Sequence, residues 1–344
     1  VLEEMAQTLS CRGPDDSGFW FSPRAALAHR RLVVIDPKGG GQPMVRRRGE
    51  KEYVITYNGE LYNTPELRRE LAARGYQFFG HSDTEVLLNA YIEWGADCVE
   101  RLNGIFAFAV WNEGDRQLFL ARDRLGVKPL FYAQRGSAFL FGSEPKSLLA
   151  HPAVPAEVDA VGLAEIFLLG PARTPGQGIF RGLQELKPGH WLIYDRRGVQ
   201  IRQYWALESR PHSDDLPVTA RKVRQLLEDA VKRQLVSDVP LCTLLSGGLD
   251  SSAITAFAAR ELARTGGGPL VTYSVDYVDN DRHFRPNRFQ PNTDAPWASK
   301  IASLFGTRHH TAFLDTPELA DMLPVALRAR DFPGMVDIDA SLYL

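Results

Sequence analysis

A seven-residue loop, Ser246-Gly247-Gly248-Leu249-Asp250-Ser251-Ser252, has the composition of a phosphate-binding site. Glycines let the backbone approach a ligand closely, and serine hydroxyls together with the free N–H groups that open a helix can bind an anion. The preceding apolar segment Val239–Leu245 is predicted to be a strand, and Ser252–Arg264 a helix. A glycine turn with a serine N-cap is the alternative interpretation. Two glycines, three serines and an aspartate at one strand-to-helix junction favour a pyrophosphate site.

Asp250 in this loop is a candidate ligand for Mg²⁺, because carboxylate oxygens are among the ligands that Mg²⁺ prefers. The loop lacks the Gly-Lys-Ser/Thr ending of a Walker loop, so transfer of a γ-phosphate is not indicated. Its composition resembles the pyrophosphate-binding loop of the ATP pyrophosphatases. Enzymes of that class adenylate a carboxylate or carbonyl group and release pyrophosphate.

Short polar stretches nearer the start of the chain are a second candidate for chemistry. Asn58-Gly59, taken alone, is typical of a tight hairpin turn. Ser82-Asp83-Thr84-Glu85, taken alone, is typical of a capping box that opens a helix. The stretches considered together are Arg12–Gly18, His29–Leu32, Tyr57–Asn63 and Ser82–Glu85.

The first part of the chain alternates short β-rich runs with Gly, Pro and Asp turns, a pattern that is typical of stacked sheets. Helices are predicted at Thr64–Arg74, where Pro65 suits the first turn, and at Asp83–Trp94. Strands are predicted at Ala25–Ala28, Arg31–Asp36, Tyr53–Tyr57, Ala107–Asn112, Gln117–Arg122, Leu130–Ala133, Phe139–Ser143, His190–Asp195 and Gln200–Trp205.

The second part of the chain follows a different pattern. Charged residues and prolines crowd into Ala206–Pro217, which predicts a linker. Beyond it, Thr219–Leu235 and Asp294–Phe305 are predicted helices, and Leu270–Tyr277 is a predicted strand. Together with the strand and helix that flank the glycine loop, this alternation predicts a doubly wound parallel sheet.

Composition limits the other classes of function. The chain has 344 residues and a net charge of −2, so nothing favours binding to nucleic acid or to an acidic membrane surface. No apolar run approaches the roughly 20 residues that span a bilayer. Cys11, Cys98 and Cys242 are too scattered for a disulfide framework or a zinc site, which favours a cytoplasmic setting. His309 and His310 are adjacent, so in a strand they would point to opposite faces and could not easily share a metal.

Taken together, the motifs resemble those of glutamine-hydrolysing asparagine synthetases of the B type, over essentially the whole chain. The resemblance implies a class II glutaminase domain at residues 1–205, an α+β αββα sandwich of the N-terminal-nucleophile type. It implies a linker at 206–217 and an ATP-pyrophosphatase-type synthetase domain at 218–344, with an α/β doubly wound parallel sheet. The further stretches that carry it are Arg101–Ala109, Ala121–Leu130, Phe141–Glu144 and Val236–Pro240.

The resemblance also implies roles for residues in the first domain. Arg31 would bind the α-carboxylate of glutamine, a task that suits the planar guanidinium group. Asn58 and Gly59 would form an oxyanion hole from a side-chain amide and a backbone N–H. Glu60 and Asp83 would hold the amino group of glutamine.

In the second domain, the resemblance implies that Leu244 and Val275 contact adenine, while Ser246–Ser252 hold the pyrophosphate of ATP and Asp250 holds Mg²⁺. The implied reaction converts aspartate to asparagine through β-aspartyl-AMP, using ammonia from glutamine and releasing AMP, pyrophosphate and glutamate. A homodimer is compatible with it. The alternatives are a β-lactam-synthetase-like cyclase with a silent glutaminase domain, amidation of another carboxylate, and a non-catalytic nucleotide-binding protein.

The ends of the chain depart from the family pattern. The family nucleophile is an N-terminal cysteine whose own α-amino group acts as the base, whereas Val1–Ser10 is predicted to be part of a helix. Cys11 lies inside the chain and has no free α-amino group. A second phosphate motif, of the Ser-Gly-Glu-Gly-Ser-Asp-Glu type, is expected after Leu344. We therefore expect a fragment that lacks both true termini and does not itself hydrolyse glutamine.

Overall fold

The computed structural model describes residues 1–169, 172–288, 290–332 and 336–343. Contacts between Cα atoms divide the chain into two compact units, Val1–Ser209 and Arg210–Leu344. Each unit has its own sheets and its own clusters of buried apolar side chains. Among the described residues, no helix combines the length and the apolar composition that crossing a membrane requires.

The first unit contains mostly antiparallel strands, with helices between them. The helices are α1 (Leu2–Gln7), α2 (Thr64–Ala73), α3 (Asp83–Trp94), α4 (Cys98–Arg101), α5 (Pro145–Leu149) and α6 (Ala160–Leu169). The strands are β1 (Asp16–Phe21), β2 (Ala26–Arg31), β3 (Met44–Arg48), β4 (Lys51–Leu61), β5 (Gly104–Asn112), β6 (Gln117–Arg122), β7 (Phe131–Arg135), β8 (Ala138–Gly142), β9 (Gln184–Glu185), β10 (His190–Asp195) and β11 (Gly198–Gln203).

Four layers make up the first unit. A six-stranded sheet, in the order β11-β10-β6-β5-β4-β3, packs one face against α2 and α3 through residues such as Leu71, Leu87 and Phe108. Its other face packs against the β1-β2 and β8-β7-β9 sheets through residues such as Leu27 and Tyr132. Helices α1 and α5 contact each other and these smaller sheets, so they form the outer layer. The predicted αββα arrangement is confirmed.

Strand β5 shows why the sequence folds in this way. Phe106 and Phe108 point into the cluster beneath the helices, whereas Ala107 and Ala109 point into the cluster beneath the smaller sheets. Successive side chains of a strand alternate between its faces, so a strand that is covered on both faces needs an almost continuous apolar run. The segment Ile105–Trp111 supplies that run, and it places β5 at the centre of the sandwich.

The second unit alternates helices with parallel strands. The strands are β12 (Cys242–Leu244), β13 (Val271–Tyr277) and β14 (Arg308–Leu314). The helices are α7 (Leu216–Gln234), α8 (Leu249–Thr265), α9 (Asn280–His283), α10 (Ala295–Phe305), α11 (Thr316–Arg330) and α12 (Asp337–Tyr343). The strands form a parallel sheet in the order β12-β13-β14, which confirms the predicted α/β class. Helix α7 begins at Leu216 rather than at Thr219, because the Asp215 side chain accepts a hydrogen bond from the N–H of Val218.

The predicted strand Arg31–Asp36 is wrong. Strand β2 ends at Arg31, and the chain then bends until Asp36 adopts a left-handed φ of 50°. The bend brings the backbone carbonyls of Ile35, Asp36 and Pro37 onto the Arg31 guanidinium. A straight strand would point these carbonyls alternately to either side, so the side chain of Arg31 overrides the β-propensity of the apolar run.

Candidate active site

Arg31 lies at the end of β2 with only 7% of its surface exposed. Its Nη1 donates to the carbonyl of Pro37 at 3.1 Å, and its Nη2 donates to those of Ile35 at 3.1 Å and Asp36 at 2.7 Å. Within the described part of the chain these three bonds leave two of the five guanidinium N–H donors for a ligand. The group is therefore fixed in position and still able to bind a carboxylate.

The side chain of Asp36 fixes the loop that follows β2. Its carboxylate accepts hydrogen bonds from the backbone N–H of Gly39 at 2.8 Å, His81 at 2.8 Å and Ser82 at 3.1 Å. Burial alone would raise the pKa of Asp36, but these N–H donors and the nearby imidazole of His81 outweigh it and lower the pKa. A charged carboxylate thus joins the loop to the start of α3.

Asn58, Gly59 and Glu60 lie within strand β4, so the hairpin turn that Asn-Gly favours is absent at this point of the chain. The partner strand β5 runs directly alongside them. A Cβ atom on Gly59 would overlap the carbonyl oxygen of Ile105 and lie 2.6 Å from the ring of Tyr57. Glycine is required here because neighbouring atoms occupy the space that any side chain would need.

We expect Gly59→Ala to destabilise the protein by about 2 to 4 kcal/mol, because the new methyl group must displace the backbone of β5 at Ile105 and Phe106. The free energy of unfolding in urea measures the effect. Gly114→Ala is the matched control, because its methyl group would meet the flexible Lys51 side chain at 3.3 Å. Equal stabilities of the two variants would contradict the expectation.

Two carboxylates face the same region from β4 and α3. Asp83 is buried, and its Oδ2 accepts hydrogen bonds from the Tyr57 hydroxyl at 3.0 Å and from the N–H of Leu61 at 3.1 Å. Burial raises the pKa of Asp83 and also that of Glu60, although Lys128 opposes the shift at Glu60. Two partly desolvated carboxylates are a site for a ligand cation, because a nearby positive charge would offset the free-energy cost of burying their ionised forms.

The start of α3 partly follows the predicted capping box. Ser82 is the N-cap, and its hydroxyl accepts a hydrogen bond from the N–H of Thr84 at 3.1 Å. Glu85 does not complete the box. Its carboxylate instead accepts from the N–H of Phe79 and pairs with Arg46 at 2.6 Å. The helix start is therefore tied to β3 and to the preceding loop, and this fixes Asp83 as well.

The structure brings the predicted residues of the first unit together. Arg31, Asn58, Gly59, Glu60 and Asp83 all line one cavity of about 860 Å³. They come from the end of β2, the middle of β4 and the start of α3. Three separate segments of the chain thus place a guanidinium group, a side-chain amide, a glycine and two carboxylates around one space.

Sequence reasoning did not identify several residues of this site. Gln42 accepts a hydrogen bond from the N–H of Tyr57 at 2.6 Å and donates to its carbonyl at 3.1 Å, which joins the β2 loop to β4. Lys128 and His29 also line the cavity. Burial and the neighbouring Arg31 lower the pKa of His29 to about 4, so its imidazole is neutral at physiological pH. The available signal for His29 was its position directly after the apolar run 25–28, within the stretch His29–Leu32 in which no role was predicted for His29.

The glycine loop of the second unit connects β12 to the 17-residue helix α8, as predicted. Gly247 has a left-handed φ of 82°, and Gly248 is the N-cap of the helix. The hydroxyl of Ser246 lies 3.1 Å from that of Ser251 and accepts from the N–H of Gly248 at 3.3 Å. The buried Ser252 hydroxyl has no hydrogen-bond partner among the described residues. The loop therefore presents hydroxyls and a helix N-terminus at the end of a strand.

The residues predicted to contact adenine lie on one face of the parallel sheet. Leu244 is directly opposite Tyr273, and Val275 lies two residues further along β13, so all three share a face. Leu244 and Val275 are both exposed apolar residues. Leu249 and Asp250, in the first turn of α8, are also exposed. The strand ends therefore combine an apolar surface with a polar loop.

The two adjacent histidines point to opposite faces of β14, as predicted. His309 Nδ1 lies 2.9 Å from the hydroxyl of Thr272, and its Nε2 lies 3.2 Å from that of Ser274. His310 stacks on the ring of Tyr273, with 5.2 Å between ring centroids. Burial and the neighbouring His310 lower the pKa of His309. These contacts account for both side chains within the sheet.

Comparison with known families follows the same division of the chain. Residues 1–205 match a family model described as a glutamine amidotransferase domain, and the chain therefore belongs to that family. Residues 222–344 match a second model, described as asparagine synthase. The resemblance to glutamine-hydrolysing asparagine synthetases that the motifs indicated is confirmed.

Two bacterial relatives give the same result by sequence. The chain is 55% identical over 342 residues to the glutamine-hydrolysing asparagine synthetase 3 of Bacillus subtilis strain 168, covering 99% of this chain and 56% of that protein. It is 36% identical over 330 residues to asparagine synthetase B of Escherichia coli K12, and the match covers 93% of this chain and 52% of that protein. The chain thus spans about half the length of these relatives. A solved structure of the allosteric regulatory enzyme of purine biosynthesis aligns with a TM-score of 0.42 and 18% identity, over 84% of this chain and 75% of that one.

Proposed function

We propose that this chain carries the glutaminase region and part of the synthetase region of a glutamine-dependent asparagine synthetase. In this proposal residues 1–205 bind glutamine, 206–217 are a linker and 218–344 bind ATP. The enzyme would use ammonia from glutamine to amidate the β-carboxylate of aspartate, and we place it in the cytoplasm. The observation that supports this most strongly is the convergence of Arg31, Asn58, Gly59, Glu60 and Asp83 on one cavity.

In the proposed glutamine complex, the two remaining N–H donors of Arg31 bind the α-carboxylate. The carboxylates of Glu60 and Asp83 bind the α-ammonium group on the other side. The amide carbonyl then lies towards β4, where the side chain of Asn58 and the N–H of Gly59 would stabilise the negative oxygen of a tetrahedral intermediate. Three chemically different anchors select an L-amino acid with a side-chain amide.

The pH dependence of glutamine binding follows from the two acidic groups. Because burial raises the pKa of both Glu60 and Asp83, protonation begins above the ordinary values of about 4. Binding an ammonium group requires the ionised forms, so we expect full affinity at neutral pH and a loss of affinity as the pH falls through the raised pKa values. Calorimetric titrations at a series of pH values measure it. An affinity that stays constant down to pH values of about 4 would contradict this assignment.

The stability of the ligand-free protein depends on pH in the opposite direction to the glutamine affinity. A folded-state pKa above the unfolded value means that the protonated carboxyl groups favour the folded state. This contribution of Glu60 and Asp83 is fully present below the unfolded pKa and is lost as the pH rises through the folded pKa. The two carboxylates therefore stabilise the folded ligand-free protein least at the pH where they bind an ammonium group best.

In the second unit, we propose that the loop Ser246–Ser252 and the N-terminus of α8 hold the pyrophosphate portion of ATP. Leu244 and Val275 provide an apolar surface for adenine. The exposed carboxylate of Asp250 suits Mg²⁺, which would neutralise the phosphates and help pyrophosphate to leave. The carboxylate of aspartate would attack the α-phosphate and form β-aspartyl-AMP, from which ammonia would displace AMP to give asparagine.

Aspartate-dependent exchange between ATP and labelled pyrophosphate tests this function in the full-length polypeptide. We expect exchange that requires aspartate. Exchange without aspartate would favour a cyclase that uses another carboxylate, and absence of exchange would favour a non-catalytic nucleotide-binding protein. The presence of all five glutamine-site residues is the reason for preferring an amidotransferase to a cyclase with a silent glutaminase domain.

A further inference from the structure

One buried side chain joins the two halves of the proposed glutamine site without lining the cavity. Asp36 is 4% exposed, and it is not among the residues that surround the cavity, whereas its neighbours Ile35 and Gly40 are. We propose that Asp36 is a positioning residue that holds the carboxylate-binding side of the site in register with the ammonium-binding side. This inference rests on the proposed function.

On the carboxylate side, Asp36 acts through its backbone. Its carbonyl oxygen accepts the 2.7 Å hydrogen bond from Nη2 of Arg31, the shortest of the three bonds that hold the guanidinium. The same carbonyl accepts a 2.9 Å hydrogen bond from the N–H of Gly40. The left-handed φ of 50° at Asp36 makes this bend possible. The position of the guanidinium therefore depends on how Asp36 is held.

On the ammonium side, Asp36 acts through its carboxylate. The Oδ2 atom accepts hydrogen bonds from the consecutive N–H groups of His81 and Ser82, which immediately precede Asp83. N–H groups at the start of a helix carry partial positive charge and bind carboxylates well. One residue thus fixes the Arg31 loop and the start of the helix that carries Asp83 relative to each other.

The Asp36 carboxylate lies close against the backbone of two glycines. A Cβ atom on Gly39 would lie 2.5 Å from Oδ2 of Asp36, and a Cβ atom on Gly80 would overlap the same oxygen. Neither glycine has a left-handed φ, so the requirement for glycine comes from the close approach of the carboxylate. A methyl group at Gly80 would push the carboxylate away while leaving its charge unchanged.

The other explanation is that Asp36 only stabilises the fold. The two explanations differ in which ligands they affect. Misalignment of the two sides of the site weakens the binding of a ligand that must contact both sides at once, because a ligand that is held on one side no longer fits the other. A ligand with only one anchor loses little. L-Glutamine has both anchors, 4-aminobutanamide lacks the α-carboxylate, and glutaramic acid lacks the α-amino group.

The test is calorimetric titration of the chain with these three compounds. We expect Asp36→Asn and Gly80→Ala each to weaken L-glutamine binding by roughly tenfold to a hundredfold, because small misplacements of binding groups have effects of this size. Binding of 4-aminobutanamide and of glutaramic acid should stay close to wild type. Matched controls are Asp115→Asn, an exposed carboxylate paired with Lys51, and Gly41→Ala, whose new methyl group meets no atom within 4 Å.

Four results would overturn the inference. Unchanged glutamine affinity in both variants would show that the register does not depend on Asp36. An equal loss for all three compounds, or loss of cooperative unfolding in both variants, would assign Asp36 to folding alone. Absence of glutamine binding by the wild-type chain would instead contradict the proposed function, and the inference with it.

Discussion

Replacing Arg31 by lysine is expected to weaken L-glutamine binding by roughly a hundredfold, about 2.7 kcal/mol. The guanidinium group binds three backbone carbonyls and still has two N–H donors, one on Nε and one on Nη1. An ammonium group has three donors in total, so it cannot satisfy these three carbonyls and also donate to a carboxylate. Calorimetric titration with L-glutamine measures the loss.

Arg47→Lys is the matched control for this change. Arg47 also pairs with a carboxylate, that of Glu52, but it is exposed on β3 and away from the cavity. Exposed ion pairs contribute little to stability, so we expect the Arg47→Lys variant to bind glutamine with wild-type affinity. Wild-type affinity in Arg31→Lys would show that the α-carboxylate binds elsewhere, and it would remove the main anchor from the proposed site.

Gly247→Ala is expected to have the second large effect, the loss of measurable ATP binding by the second unit. The φ of 82° is unfavourable for alanine by about 1 to 2 kcal/mol. A Cβ atom would also lie 2.5 Å from Cβ of Trp297 and 2.7 Å from the backbone nitrogen of Ala298. The loop would have to move away from α10, and its hydroxyls and N–H groups would no longer converge on phosphate.

Titration with ATP in the presence of Mg²⁺ measures this effect, and urea unfolding measures the accompanying loss of stability. Gly268→Ala is the control in the same unit, because its new methyl group meets no atom within 4 Å and its φ lies outside the left-handed region. If Gly247→Ala binds ATP as tightly as Gly268→Ala does, the loop is not the phosphate site.

The helices and strands whose bounds were predicted correctly have clear signals in their own sequence. The helix Asp83–Trp94 and the strands Gln117–Arg122 and His190–Asp195 have the predicted bounds. Each is a largely apolar segment that closely follows a cap or turn residue, namely Ser82, Gly114 or Gly189. Strands β1 and β3 were missed, because Asp16–Phe21 and Met44–Arg48 are polar or mixed segments that become strands only by pairing with β2 and β4.

The site was predictable only in part for the same reason. Motifs identified Arg31 and Asp83, since their residue types fit a known pattern. Asp36 begins a local turn that ends at Gly39, but its role in the site has no local signal, because its partners at His81 and Ser82 are distant in sequence and are reached only after the sandwich has formed. The hairpin turn that Asn58-Gly59 alone would favour is absent for a similar reason, because pairing with β5 along the full strand overrides the local turn preference.

A crystal structure of the chain with L-glutamine is the most direct test of the proposed site. We expect one molecule in the cavity, with its α-carboxylate about 2.7 to 3.2 Å from the guanidinium nitrogens of Arg31. Its ammonium group should lie at similar distances from Glu60 and Asp83, and its side-chain amide should face Asn58 and Gly59. Glutamine bound elsewhere, or bound here with its carboxylate away from Arg31, would contradict the assignment.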